Sequence, residues 1–210
     1  MDETFTVTKV VPQVKRKERY SIFLDGEFAF GVHQDVLLEA GLASGDRLTQ
    51  SRIDEIRLMQ ERRDAKDKAM RLLAVRARSE FELWQRLSKA GFSDKSIDNA
   101  VEALKRLKLV NDIEFAKMFA RNRMVVKPVG EFYLRRELQQ KGLSEPAINA
   151  GIEAAFTEKG EYQFAWDVAV KAKKKYAAYE DARKRVRNFL GRRGFHWDIV
   201  NDILEHWQEL

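Results

Sequence analysis

Three histidines, 33 acidic residues and 39 lysines and arginines are the side chains here that could carry chemistry, and their spacing decides which kind. His33, His196 and His206 lie far apart or at intervals that do not set two on one helix face, and no His-Glu-x-x-His pattern occurs. A Gly-x-x-x-x-Gly-Lys-Ser/Thr phosphate loop and a Gly-x-Ser-x-Gly nucleophile elbow are both missing from the sequence. The carboxylates are mostly interleaved with Lys or Arg at helical spacing, as on solvated faces, and do not gather into a metal cluster. With no cysteine in the chain, disulfides and thiolate metal sites are excluded. These patterns predict a protein that is not an enzyme and needs no cofactor or metal.

The basic residues gather in particular places. Arg71, Arg76 and Arg78 form one cluster, Arg121, Arg123 and Lys127 a second, and Lys171, Lys173, Lys174 and Lys175 a third. Arg135 and Arg136 thicken the second, and Arg183, Arg185 and Arg187 the third. A net charge of +6 and an isoelectric point near 9.4 agree with an anionic partner. If the clusters recur on stacked units they form a stripe, the footprint of a protein that tracks a polyanion. The competing explanation is a solubilising face.

The elements that would position these charges follow from periodicity. Tyr20–Leu24 and Phe28–Val32 alternate around Asp25-Gly26, a hairpin signal, with Phe5–Val11 as a third strand. Val36–Leu42 reads as a short helix closed by Gly41. Ser51 stands as the N-cap of a long helix, and no proline or glycine intervenes between it and Gly91. After that the chain matches itself. Leu87 to Gly91-Phe92 aligns with Leu138 to Gly142-Leu143 and with Leu190 to Gly194-Phe195. Leu83, Leu134 and Val186 coincide, as do Ile97, Ile148 and Val200, then Val101, Ile152 and Leu204, then Leu104, Ala155 and Trp207.

Each glycine would close a second helix in the left-handed conformation before a third begins. First helices are marked by Ala69-Leu72-Leu73, Ala116-Phe119-Ala120 and Ala165-Val168-Ala169. Ser79 to Glu82 has the form of a capping box, and Lys127-Pro128-Val129-Gly130 breaks the chain before Glu131. The expectation is a mainly α fold of tandem three-helix, helix-turn-helix-like repeats behind a small N-terminal β-hairpin extension. Its boundaries are 1–50 for the extension, 51–110 for a long connecting helix with repeat 1, 111–158 for repeat 2 and 159–210 for repeat 3. Trp84, Trp166, Trp197 and Trp207 fall on or beside apolar stripes and are expected in cores, whereas Tyr176 and Tyr179 beside the lysine run are candidates for exposure. No apolar run approaches the roughly 20 residues of a membrane span, and Met1–Thr8 lacks the form of a secretory signal, so a cytoplasmic address is expected.

With these residues laid out, the sequence resembles the RecX family of RecA recombinase regulators. The likeness rests on Arg78-Ser79-Glu80-x-Glu82-Leu83-x-x-x-Leu87 with Gly91-Phe92, and on Asp112-x-x-Phe115-Ala116-x-x-Phe119-x-Arg121-x-Arg123. It continues through Gly130-x-x-x-Leu134-x-x-Glu137-Leu138-x-x-Lys141-Gly142. The third unit and the hairpin fit the family's architecture more than its motifs, and Lys108-Leu109-Val110-Asn111 stands where the family usually has a Gly-Tyr-Leu-type turn. The resemblance implies a monomer that binds the RecA filament and its single-stranded DNA, and double-stranded DNA as well. It would restrain ATPase and strand exchange in DNA repair, recombination and the SOS response, with the basic stripe toward DNA or an acidic face of the recombinase. Glu80, Glu82 and Glu137 are accounted for by caps and intrahelical pairs. The alternative is a helix-turn-helix transcription factor. Against it, the helices after Gly91, Gly142 and Gly194 carry few arginines to read bases.

Overall fold

Alternating apolar residues over the first fifty positions become strands, and the 3.6-residue stripes that follow become helices. A computed structural model describes residues 3–15 and 18–210. Strands β1 (Thr4–Pro12), β2 (Arg19–Leu24), β3 (Glu27–His33) and β4 (Arg47–Thr49) form an antiparallel sheet in the order β3-β2-β1-β4. Asp25 and Gly26 take φ 49° and 91° at the β2–β3 turn, the left-handed pair that suits a two-residue hairpin. Val7, Ile22, Leu24 and Val32 point to one face. There they meet Val36 of α1 (Gln34–Ala40), Leu42, Leu48, and Ile53 and Ile56 of α2 (Gln50–Val75). The fourth strand goes beyond the expected hairpin and third strand. Its three residues pair with Thr4–Thr6, too few to show a period. They also carry the cap of α2: Thr49 Oγ1 accepts from the Arg52 N–H at 3.3 Å, and Ser51, the expected cap, lies inside the helix.

Eight further helices follow: α3 (Glu80–Ser88), α4 (Asp94–Arg106), α5 (Asp112–Val126), α6 (Glu131–Gln140), α7 (Glu145–Phe156), α8 (Glu161–Tyr176), α9 (Ala182–Arg192) and α10 (Trp197–Glu205). Mainly helical architecture with three-helix domains behind a small sheet is therefore what the chain adopts. Leu83 with Leu87, Leu134 with Leu138, and Val186 with Leu190 are fully buried, as the self-alignment requires. Gly91, Gly142 and Gly194 have φ of 88°, 72° and 76°. Lys108, at φ 57°, ends α4 in the same left-handed way, with the Leu109 N–H donating to the Leu104 carbonyl (2.9 Å).

The chain divides into two compact units: residues up to Arg76 with Leu83–Leu109, and Ala77–Glu82 with Val110–Leu210. In the first, α2 packs on α4, and the Glu61 carboxylate accepts from the Ser93 N–H (2.8 Å) and from the Ser93 and Ser96 hydroxyls (2.7 Å each). In the second, α5 packs on α7, and α8 on α9 and α10. Phe115, Ala116, Leu134, Leu138 and Ile148 centre one core, and Val168, Val186, Leu190, Val200 and Ile203 centre the next.

The same junction occurs twice within the second unit. Ser79 Oγ donates to the Lys141 carbonyl (2.7 Å), and Phe81 lies directly on Gly142. At the equivalent place, four residues before the buried leucine of α6, the Gly130 N–H donates to the Arg193 carbonyl (3.0 Å), and Tyr133 lies on Gly194. In both cases the start of one domain's second helix sits on the left-handed glycine turn that closes the second helix of the following domain.

Candidate nucleic-acid interface

The fifteen basic residues singled out by sequence fall into two groups, those bound into the protein and those left facing solvent. Arg78 is a correction to the expected stripe: at 9% exposure it is buried and engaged within the protein. Arg76 is exposed just beyond α2, also with interactions inside the protein. Arg71 is exposed on α2 and lines a cavity with Arg19 and Lys68, where Asp64 and Asp67 offset the charge.

Arg123 is half-buried. Its Nε donates to Glu137 (2.7 Å), its guanidinium also reaches the Lys127 carbonyl, and it lies over the Tyr133 ring. Arg135 bridges Glu131 (3.0 Å) and Glu145 (3.1 Å). Lys173 donates to the Trp207 carbonyl (2.7 Å) and Arg183 to the Leu204 carbonyl (3.0 Å), so both close the end of α10. Arg185 pairs with Asp181 (2.6 Å) over the Tyr179 ring, and Arg187 covers Trp197. Among the described residues, Arg121, Lys127, Arg136, Lys171, Lys174 and Lys175 are exposed and make no ion pair. Charge left over for a polyanion therefore concentrates in the second and third three-helix domains.

Three of the predicted residues are brought together. Lys127, from the turn after α5, faces Lys171 and Lys175, which share a face of α8 at i, i+4 spacing, across a cleft of about 300 Å³. Lys159 and Arg193 complete its basic lining. Sequence reasoning passed over both, although Arg193 stands beside the aligned Gly194. Lys159 pairs with Asp167, whose carboxyl is held below its usual range chiefly by that hydrogen bond. Arg193 donates to the Pro128 carbonyl (2.8 Å). Its pKa is pushed down by burial and then by the nearby charge of Arg123.

The aromatic expectations divide. Trp166 and Trp207 pack against the third domain's core, but Trp84 is 36% and Trp197 51% exposed, so neither is a core residue. Trp197 lies against Gly191, where a side chain would displace it. Tyr179 is exposed as expected, while Tyr176 sits half-buried edge-on to Phe189.

Known proteins place this architecture. The model of the RecX regulatory protein N-terminal domain matches residues 5–49, that of the first RecX three-helix domain 65–104, and that of the second 111–152. A regulatory protein RecX of Bacillus velezensis is 32% identical over 200 residues, covering 95% of this chain and 76% of the relative. The chain belongs to the RecX family. Another regulatory protein RecX, from Listeria monocytogenes, is 32% identical over 169 residues, 80% of this chain and 62% of the relative. In fold, the chain is similar to a crystal structure of regulatory protein RecX with a TM-score of 0.77 at 24% identity, covering 96% of this chain and 99% of that one. It is also similar to RecX from Lactobacillus salivarius with a TM-score of 0.63 at 20% identity, over 71% and 98% of the two chains.

In this RecX family member, the motif from Arg78 to Glu82 anchors a segment. Ser79 Oγ accepts from the Glu82 N–H (3.1 Å) as a cap while donating to the Lys141 carbonyl, the Glu80 N–H donates to Asp112 Oδ1 (2.9 Å), and Lys141 Nζ donates to Glu82 (2.7 Å). Glu82 and Glu137 thus form pairs between helices, where intrahelical pairs were expected. Among the described residues, no helix is long and apolar enough to cross a membrane.

Proposed function

We propose that this RecX family member regulates the RecA recombinase, chiefly as an inhibitor. It binds the RecA filament on single-stranded DNA and lowers its ATPase and strand-exchange activity in DNA repair and recombination. Family membership carries the reading, since the matched domains cover both the N-terminal sheet and two three-helix domains. The unneutralised cations Arg121, Lys127, Arg136, Lys171, Lys174 and Lys175 support a nucleic-acid contact within that complex, because an exposed cation without a carboxylate can exchange condensed counterions for phosphates. Arg123, Arg135, Lys173 and Arg183 serve the fold first, and their loss would weaken binding indirectly. The protein acts as a monomer without a cofactor, and double-stranded DNA is a secondary partner.

The test is single-stranded-DNA-dependent ATP hydrolysis by RecA, titrated with the purified protein. The rate is expected to fall at substoichiometric to stoichiometric amounts. An unchanged rate at excess folded protein overturns the assignment.

A further inference from the structure

The cleft between the α5–α6 turn and helices α8 and α9 holds more positive charge than its place in the fold requires. Lys127, Lys159, Lys171, Lys175 and Arg193 line it, with Asp167 the one carboxylate among the lining residues. Lys159 already neutralises Asp167. Lys127, Lys171, Lys175 and Arg193 are left without a carboxylate in ion-pair range among the described residues. Such a concentration of like charge in a concave, partly apolar site focuses positive potential and is relieved by an anion. Arg193 gains most from that relief, since burial and Arg123 both disfavour its charged form.

The aromatic rings of the cleft show what kind of anion it suits. Lys159 Nζ sits 5.1 Å from the centre of the Phe164 ring, and Arg193 and Lys175 lie 4.6 and 5.8 Å from that of Phe189. Cations seated on ring faces are attracted there electrostatically and are held in position before a ligand arrives. The same seats occupy faces on which a nucleobase would otherwise stack. What the cleft presents is ammonium and guanidinium donors, the groups that bind phosphate oxygens through charge-assisted hydrogen bonds.

We propose that this cleft is a phosphate site that takes the phosphodiester backbone of a nucleic-acid strand without reading its bases. It rests on the nucleic-acid contact in the proposed function and gives that contact a location. A free nucleoside triphosphate offers the same oxygens. The strand is favoured because further exposed cations stand on the adjoining helices, at Arg121 on α5 and Lys174 on α8.

The experiment measures binding of a labelled 15-nucleotide oligo(dT), and of an abasic strand of equal length, by fluorescence anisotropy across a salt series. The proteins are the full chain, Lys171→Gln/Lys175→Gln, and Arg136→Gln as a cation outside the cleft. The unsubstituted chain should bind both strands within about threefold. The double variant should lower the slope of log K against log salt by about 1.4, at about 0.7 for each single-strand phosphate it no longer neutralises. Tripolyphosphate should displace the strand from the unsubstituted chain. Tenfold weaker binding of the abasic strand overturns the base-blind site. ATP binding much tighter than tripolyphosphate, and abolished in the double variant, gives the cleft to a free nucleotide and overturns the backbone assignment. An unchanged slope in the double variant with a lowered slope in Arg136→Gln moves the contact elsewhere and leaves the nucleic-acid reading standing. Unchanged slopes in both variants likewise overturn the cleft assignment, and no binding of either strand by the unsubstituted chain overturns the nucleic-acid reading too. Lys171 and Lys175 are exposed, and an unchanged melting curve verifies that the double variant folds.

Discussion

Replacing each repeat glycine by alanine separates the backbone cost of a helix-closing turn from the cost of disturbing a domain junction. Gly91, Gly142 and Gly194 share a left-handed backbone, so alanine costs about 1–2 kcal/mol at each on that ground alone. Their surroundings differ. A methyl at Gly91 would meet nothing within 4 Å. At Gly142 it would overlap Phe81 at Cβ and Cγ, atoms that cannot swing clear without moving α3, and at Gly194 it would stand 2.6 Å from Tyr133 Cβ and 2.8 Å from its backbone nitrogen. Overpacking of this kind adds about 1–3 kcal/mol. Gly91→Ala should therefore cost about 1.5 kcal/mol, and Gly142→Ala and Gly194→Ala about 3–4 kcal/mol each. At about 2–4 °C per kcal/mol for a chain of this size, the junction glycines should lower Tm by roughly 4–8 °C more than Gly91. Gly130→Ala isolates the steric part: its φ of −75° suits alanine, yet the methyl would overlap the Gly194 carbonyl oxygen, backbone against backbone. Urea and thermal unfolding followed by circular dichroism give the totals. Amide exchange in α3–α4 against α6–α10 assigns them, since two units need not unfold together. If Gly142→Ala costs the same as Gly91→Ala to within about 0.5 kcal/mol, the docking of Phe81 on that turn is refuted.

Two further outcomes follow from backbone and titration chemistry. Lys108→Gly should stabilise the chain by about 0.5–1 kcal/mol in urea unfolding, because it removes the left-handed penalty at φ 57° while raising the unfolded chain's entropy by less; Lys108→Ala should give no gain. Burial alone would raise the Glu61 pKa, but the Ser93 N–H and the Ser93 and Ser96 hydroxyls outweigh it and hold the group below its ordinary 4.5. Its contribution is thus fully present above about pH 4.5 and is lost as pH falls through the depressed folded value. Glu61→Gln should cost about 1–2 kcal/mol at pH 7, and the gap should close on acidification; a gap constant from pH 7 to 3 would refute the clamp.

Much of the fold was legible because its signals are local. A glycine that must be left-handed, an i, i+4 leucine pair and an Asp-Gly turn each announce themselves within a few residues, and all three glycines and all three buried pairs stand where register placed them. What sequence concealed is what depends on distant partners. Strand β4 exists because Thr4–Thr6 offer it an edge, and Thr49 caps α2 because that short strand delivers it in extended conformation. Arg78 reads as another member of a basic cluster until burial removes it. Lys159 lies outside the lysine run, and only the packing of α8 and α9 beside the α5–α6 turn sets it near Lys127 and Arg193.

The two junctions also give the uneven charge of the domains a physical reason. Position 81 in the first domain and 132 in the second are both phenylalanine; the first lies on the next glycine turn, and the second lines the groove beside Gly194 and Trp197. The aligned residue of the third domain is Lys184, exposed, in a cavity lining shared with Arg183 and Arg187. A surface that docks another domain cannot carry unpaired cations without a desolvation cost, so helix starts committed to docking are aromatic or small. On α9, where Lys184 is exposed, the same face is basic. Charge available to a polyanion should therefore be sought away from the helix starts that dock, as at Lys171, Lys174 and Lys175 on α8.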